Sequence, residues 1–200
     1  MIDIIITVIS IALSYYYTAF MHVFANPAPY KYIVVFIVSF LICWAVLFIL
    51  FGIICVIISL PVNINKEYAG TSRFYTTLFG LMLEFAGFLS GARVIVNGRD
   101  KIPRKERFLF VSNHRSNYDP IIQCGEMKLQ PMAFISKRAN FRIPFIRRYM
   151  VRCRYIPLER KNVRNGAESV MKAARMISSG QSCIGVYPEG TRNTDGNLLD

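Results

Sequence analysis

Residues 164–187, RNGAESVMKAARMISSGQSCIGVY, carry two different periods in succession. Val170, Ala173, Ala174 and Ile177 recur at helical spacing, and Gly180 follows as a stop. Ser182 to Tyr187 is then a short apolar run ended by Pro188, the signature of a buried strand. Upstream, Val94-Ile95-Val96 and Phe108-Leu109-Phe110-Val111 are similar runs flanked by polar turns, which suits strands covered on both faces. Strand, helix and strand in succession imply an α/β layer rather than a helical bundle. In such a layer the chemistry belongs to loops at strand ends.

The first third of the chain has another character. The chain is 54% hydrophobic and only 18% charged, yet its formal net charge is +12, so apolar and basic residues occupy different regions. From Ile4 to Ala25 there is no formal charge if His22 is neutral, and from Tyr32 to Leu60 there is none at all. At about 1.5 Å per residue, roughly 20 helical residues cross the hydrocarbon layer, so both stretches are long enough. The first lacks the basic start and small-residue cleavage site of a signal peptide. A transmembrane hairpin over residues 1–62 is therefore expected, turning at Asn26-Pro27-Ala28-Pro29. Basic residues accumulate beyond Leu60, which directs the long tail to the cytoplasmic face. Residues 71–90 read as an interfacial amphipathic helix, because Glu84 disfavours a third span.

Five cysteines are an odd number, and Cys43 and Cys55 fall inside the second span. Cys124, Cys153 and Cys183 are widely separated and form no metal-ligand doublet, as expected of small apolar residues in a reducing compartment. Ten basic residues between Lys137 and Arg164 face a single acid, Glu159. Such a density attracts anions. No zinc site, glycine-rich loop or aromatic-basic alternation accompanies it, so nucleic acid is not the expected partner. An anionic bilayer accounts for several of these charges, and Arg160, after the apolar Tyr155-Ile156-Pro157-Leu158, is the one most suited to a fixed phosphate contact.

Two strand ends carry the candidate chemistry. After Val111 comes Ser112-Asn113-His114-Arg115-Ser116-Asn117-Tyr118-Asp119-Pro120, which holds the one histidine outside the apolar third. A carboxylate five residues on can reach back, fix the imidazole tautomer and leave the other ring nitrogen to accept a proton. By spacing alone the segment reads equally as a helix start, with Asp119 or Ser116 as the cap. No Ser or Cys nucleophile sits in a recognisable elbow, so the histidine is cast as a base acting on the substrate's own hydroxyl. At the second strand end, Glu189-Gly190-Thr191-Arg192 combines a permissive backbone, a hydroxyl and a rigid fork of donors suited to phosphate; alone it is also a plain structural turn.

Taken together, these segments resemble the glycerolipid acyltransferases, particularly those acting on 1-acylglycerol 3-phosphate. His114 and Asp119 match the family's His-x4-Asp signature, Tyr155 to Arg160 looks like its second motif, and Glu189-Gly190-Thr191-Arg192 matches its third, in the same order and spacing. A proline and a glutamate before Arg160 depart from the commonest second motif. The resemblance covers roughly Arg93 to the end. It implies a cytosolic mixed-sheet α/β acyltransferase domain with flanking helices over residues 91–200, preceded by the transmembrane hairpin. Family members continue into further strands and a fourth motif, so this domain is expected to be C-terminally incomplete.

The resemblance also implies roles. His114 would be the general base and Asp119 its orienting partner, while Arg160, Glu189, Gly190, Thr191 and Arg192 would bind the acceptor. The donor would be acyl-CoA or acyl-carrier protein, with no cofactor and no metal, and the partners membrane lipids and the carrier protein. Two alternatives stand beside this reading: the same chemistry on glycerol 3-phosphate, another lysophospholipid or an acylated amino-acid lipid, and a non-catalytic protein whose basic belt binds an anionic membrane.

Overall fold

A computed structural model describes residues 1–25, 28–158 and 163–192, and of residues 23–25, 29, 163 and 165 the backbone alone. It divides into two units, Met1–Ile58 and Ser59–Asp200.

The first unit is a pair of helices, α1 (Ile2–Ala25) and α2 (Pro29–Ser59). Pro29 opens α2, a position where its missing N–H is not needed; the Asn26-Pro27 half of the expected turn lies outside the described residues. Two of the hydroxyls that dilute α1, those of Ser10 and Thr18, are absorbed by its own backbone. Ser10 Oγ donates to the Ile6 carbonyl at 2.8 Å and Thr18 Oγ1 to that of Ser14 at 2.7 Å. Ile6, Ser10 and Ser14 form a buried stripe, and the small serines let the helices approach closely. Trp44 Nε1 donates to Thr7 Oγ1 at 3.4 Å, and His22 stacks on Tyr32. Both helices are long and apolar enough to cross a membrane, and in the most apolar stretch of α2 only 6% is buried. A soluble core helix would be covered, so this exposed apolar surface marks the chain as membrane-associated.

In the second unit a four-stranded sheet runs in the order β1 (Leu109–Val111), β4 (Cys183–Val186), β2 (Met132–Lys137), β3 (Ile156–Leu158). Every pairing among these described strands is parallel. Parallel neighbours require crossover helices, here α4 (Asp119–Glu126), α5 (Ile146–Arg152) and α6 (Val163–Ser178). The strands alternate between two layers. Ala133, Ile156 and Ile184 meet Ala173 and Met176 of α6. Met132, Phe134 and Cys183 meet Cys124 and Met127 on the other side. A preceding helix, α3 (Arg73–Leu89), packs on α4 and, through Phe79, on Tyr149 of α5. Gly185 is bare so that the Phe134 ring can lie against β4; a Cβ there would overlap the ring.

Three details differ from the sequence reading. Val94, Ile95 and Val96 form no strand and are 40%, 73% and 40% exposed; no strand among the described residues pairs with them, and an apolar run alone does not make one. Leu109 and Val111 of β1 are also exposed, as befits an edge strand with one open face. The α6 helix falls where expected and ends at Gly180 with φ 70°, but its buried stripe is Ser169, Ala173 and Met176, leaving Val170 outside. Ser169 can take an interior position because its hydroxyl donates to the Pro157 carbonyl at 3.1 Å.

Candidate active site

The carboxyl ends of β1, β2, β3 and β4 open on one cavity of about 470 Å³, lined by His114, Asn117, Lys137, Asn140, Leu158, Tyr187, Gly190, Thr191 and Arg192 among others. Ligand sites of parallel α/β sheets lie at this end. Adjacency of β1 and β4 brings together two loops far apart in sequence.

His114 lies in the loop between β1 and α4. Its Nδ1 is 3.0 Å from Asp119 Oδ2. The same oxygen accepts the Arg115 N–H at 2.7 Å and the Ser116 N–H at 2.8 Å. The segment thus wraps around one carboxylate oxygen. Asp119 opens α4 with Pro120 next to it, and Ser116 Oγ accepts the Tyr118 N–H at 3.1 Å. Helix start and histidine contact coexist, so the two readings of this segment are not exclusive. Burial would raise the Asp119 carboxyl, but the Ser116 N–H, His114 and the Arg115 N–H outweigh it and hold it below the ordinary aspartate value. The acid is therefore an anion at neutral pH, able to accept from Nδ1–H and leave Nε2 with a lone pair.

Tyr187 at the end of β4 stacks on His114 with ring centroids 4.4 Å apart. Its hydroxyl donates to Gln123 Oε1 at 2.6 Å, and Gln123 Nε2 donates to Ser112 Oγ at 2.8 Å. Burial pushes the Tyr187 phenol far above its ordinary value, so it stays a donor. The imidazole is thus held at one edge by Asp119 and on one face by Tyr187. Beyond Tyr187, Gly190 takes φ 63° and its N–H donates to the Tyr187 carbonyl at 3.0 Å, closing the turn. Thr191 and Arg192 are exposed on the cavity lining.

Of the residues expected from sequence, His114, Gly190, Thr191 and Arg192 share this cavity, and Asp119 stands behind His114. Glu189 is half-buried beside it, and its Oε2 has no hydrogen-bond partner among the described residues. Arg160 lies outside the described residues. Tyr187, Gln123 and Lys137 were not singled out from sequence. Lys137 was lost in the basic belt, although its position at a strand's carboxyl end is the signal that separates it.

The buried thiols play no visible part. All five cysteines are free, and burial pushes Cys124 and Cys153 up to about 12.

Residues 93–200 match the family model described as Acyltransferase. The chain is 33% identical over 110 residues to the 1-acyl-sn-glycerol-3-phosphate acyltransferase of Borreliella burgdorferi, covering 55% of this chain and 43% of that protein. It is 24% identical over 134 residues to the protein of the same name from Streptococcus pneumoniae, covering 66% and 50%. Among solved structures, the 1-acyl-sn-glycerophosphate (LPA) acyltransferase PlsC from Thermotoga maritima shares the fold, with a TM-score of 0.57 at 20% identity over 98% of this chain and 66% of that one. The chain spans about half the length of the curated relatives it matches.

Proposed function

The chain belongs to the acyltransferase family, and from that premise we propose that it transfers a fatty acyl group from a thioester to the free sn-2 hydroxyl of 1-acylglycerol 3-phosphate, giving phosphatidic acid. The observation that carries the reading is the 3.0 Å contact between His114 Nδ1 and Asp119 Oδ2, in a loop whose cavity also holds Thr191 and Arg192. The names of the relatives support the choice of acceptor.

With Nδ1–H bound to the carboxylate, Nε2 takes the proton of the acceptor hydroxyl as its oxygen attacks the thioester carbonyl. Asp119 stabilises the imidazolium so formed. The tetrahedral intermediate collapses with cleavage of the carbon–sulfur bond, and the leaving thiolate takes the proton back from Nε2. Products are the ester and a free thiol. Arg192, joined by Arg160, takes the acceptor phosphate, and Lys137 adds charge at the same mouth. Glu189 and Gly190 shape the turn that presents Thr191 and Arg192. The steps require no covalent enzyme intermediate, metal or cofactor. Acyl-CoA or acyl-carrier protein supplies the thioester from the cytoplasmic face, the side favoured by the basic residues beyond Leu60.

The test uses the full chain in lipid nanodiscs with labelled acyl-CoA or acyl-carrier protein and 1-acylglycerol 3-phosphate. His114→Ala should lower turnover by about a thousandfold, within the range for a lost general base, with the melting profile unchanged. Wild-type turnover in that variant would reject the assignment.

A further inference from the structure

A second cavity, of about 490 Å³, lies against the outer edge strand β3. Tyr155 is the one described residue that lines both cavities; Lys137 and Leu158 face the candidate active site, whereas Arg138 and Pro157 face this one. Its wall includes Ile64 to Tyr68, the connector that follows α2. Six of its lining side chains are cationic and one, Glu67, is acidic.

The connector wall is held in place by contacts of its own. Arg154 Nη1 donates to the Ala69 carbonyl at 2.9 Å, Lys172 pairs with Glu67, and the Asn63 N–H donates to the Tyr68 hydroxyl at 3.0 Å. Glu67 is therefore already committed. Arg142 and Arg147 line the same cavity, and neither guanidinium has a hydrogen bond or ion pair among the described residues. Two unneutralised arginines beside further cations repel one another, and an anion between them would relieve that repulsion. The volume exceeds what a bare phosphate needs, and Phe141, Tyr68 and Tyr155 supply apolar and aromatic surface beside the charges.

We propose that this cavity binds the phosphate of an anionic membrane lipid, at a site separate from the acyl-transfer centre and occupied by a lipid that does not react. The lipid source follows from the tether. Ile64 is five residues beyond Ser59, the last residue of α2, and a chain that short reaches no more than about 18 Å. The end of a membrane-crossing helix lies at the headgroup layer, so a basic cavity on that leash meets lipid phosphate at high local concentration. The site does not depend on the acyl-transfer reading.

The test is native mass spectrometry of the full chain in a neutral detergent, titrated below micellar concentrations with dihexanoyl phosphatidylglycerol, dihexanoyl phosphatidylcholine or inorganic phosphate. Saturable phosphatidylglycerol binding is expected, at least about tenfold tighter than phosphatidylcholine or inorganic phosphate. Arg142→Gln with Arg147→Gln should weaken it about tenfold or more, the scale of lost charge-assisted hydrogen bonds. His114→Ala and Arg192→Gln should leave it unchanged. Equal binding of phosphatidylcholine, undiminished binding in the double variant, or loss in Arg192→Gln would overturn the proposal. Inorganic phosphate binding as tightly as phosphatidylglycerol would overturn the lipid assignment. If the double variant does not melt cooperatively, Arg142→Gln alone and the wild-type lipid comparison decide between the same outcomes.

Discussion

Asp119 Oδ2 receives three donors within 3.0 Å, two of them backbone amides that no side-chain substitution can remove. The consequence is a carboxylate with fixed position and charge, and an imidazole with a fixed tautomer. Asp119→Asn keeps the volume but turns an acceptor toward donors with half the capacity and no charge. Turnover should fall about a hundredfold or more in the nanodisc assay. The same group predicts a pH effect whose sign is determined. A carboxyl held low in the fold adds stability above its unfolded value, about 3.9, and loses it as pH falls through the lower folded value. The stability difference between wild type and Asp119→Asn, read by urea denaturation, should shrink as pH falls below about 4. A difference that persists undiminished to about pH 2 would contradict the hydrogen-bond pattern.

At the scale of elements, α5 is distinguished by what its arginines grip. Arg148 Nη1 donates to the carbonyls of Leu60 at 2.9 Å and Val62 at 2.8 Å, and Arg152 Nη1 to that of Gly70 at 3.1 Å. Arg152 also lies over the rings of Tyr68 and Tyr75. Just past the helix, Arg154 sits at φ 59°, unusual for a residue with a side chain, and its bonds to Ala69 and Gln181 hold it there. Four residues apart on one helix face, Arg148 and Arg152 act as staples. Replacing both with alanine should speed amide hydrogen exchange across residues 60–70 about tenfold or more while leaving β4 protected; unchanged exchange would show the connector is held by other means. Sequence made some of these elements legible and not others. The α6 and β4 segments were readable because one period gives way to another within 24 residues, with Gly180 marking the join. The segments around His114 and Gly190, which the fold brings to one cavity, stood out because their residue types are chemically unusual where they stand. The stacking of Tyr187 on His114 was not, because it depends on β1 lying beside β4, a neighbour relation that no local pattern encodes. Val94 to Val96 misled for the same reason, since pairing, not apolarity, makes a strand. The staples were invisible because arginines aimed at carbonyls look, in one dimension, like a solvated basic belt.

For the molecule as a whole, two apolar helices precede a parallel α/β unit whose catalytic candidates sit at the strands' carboxyl ends. Membranes carrying the full chain should retain it in alkaline carbonate, which strips peripheral proteins, and release it only to detergent; release by carbonate would show that α1 and α2 do not span the bilayer. The strand order also sets a schedule. β4 is the last described strand along the chain, yet it is the internal one that joins β1 to β2. While the polypeptide is being made, β1 must wait for roughly 70 further residues, several seconds at ordinary elongation rates, before its partner exists. Since Tyr187 and Arg192 follow β4, His114 acquires its stacking and cavity-lining neighbours at the same late moment. A nascent chain still attached to the ribosome, its anchor already emerged, is therefore chemically silent until the sheet is joined through its middle.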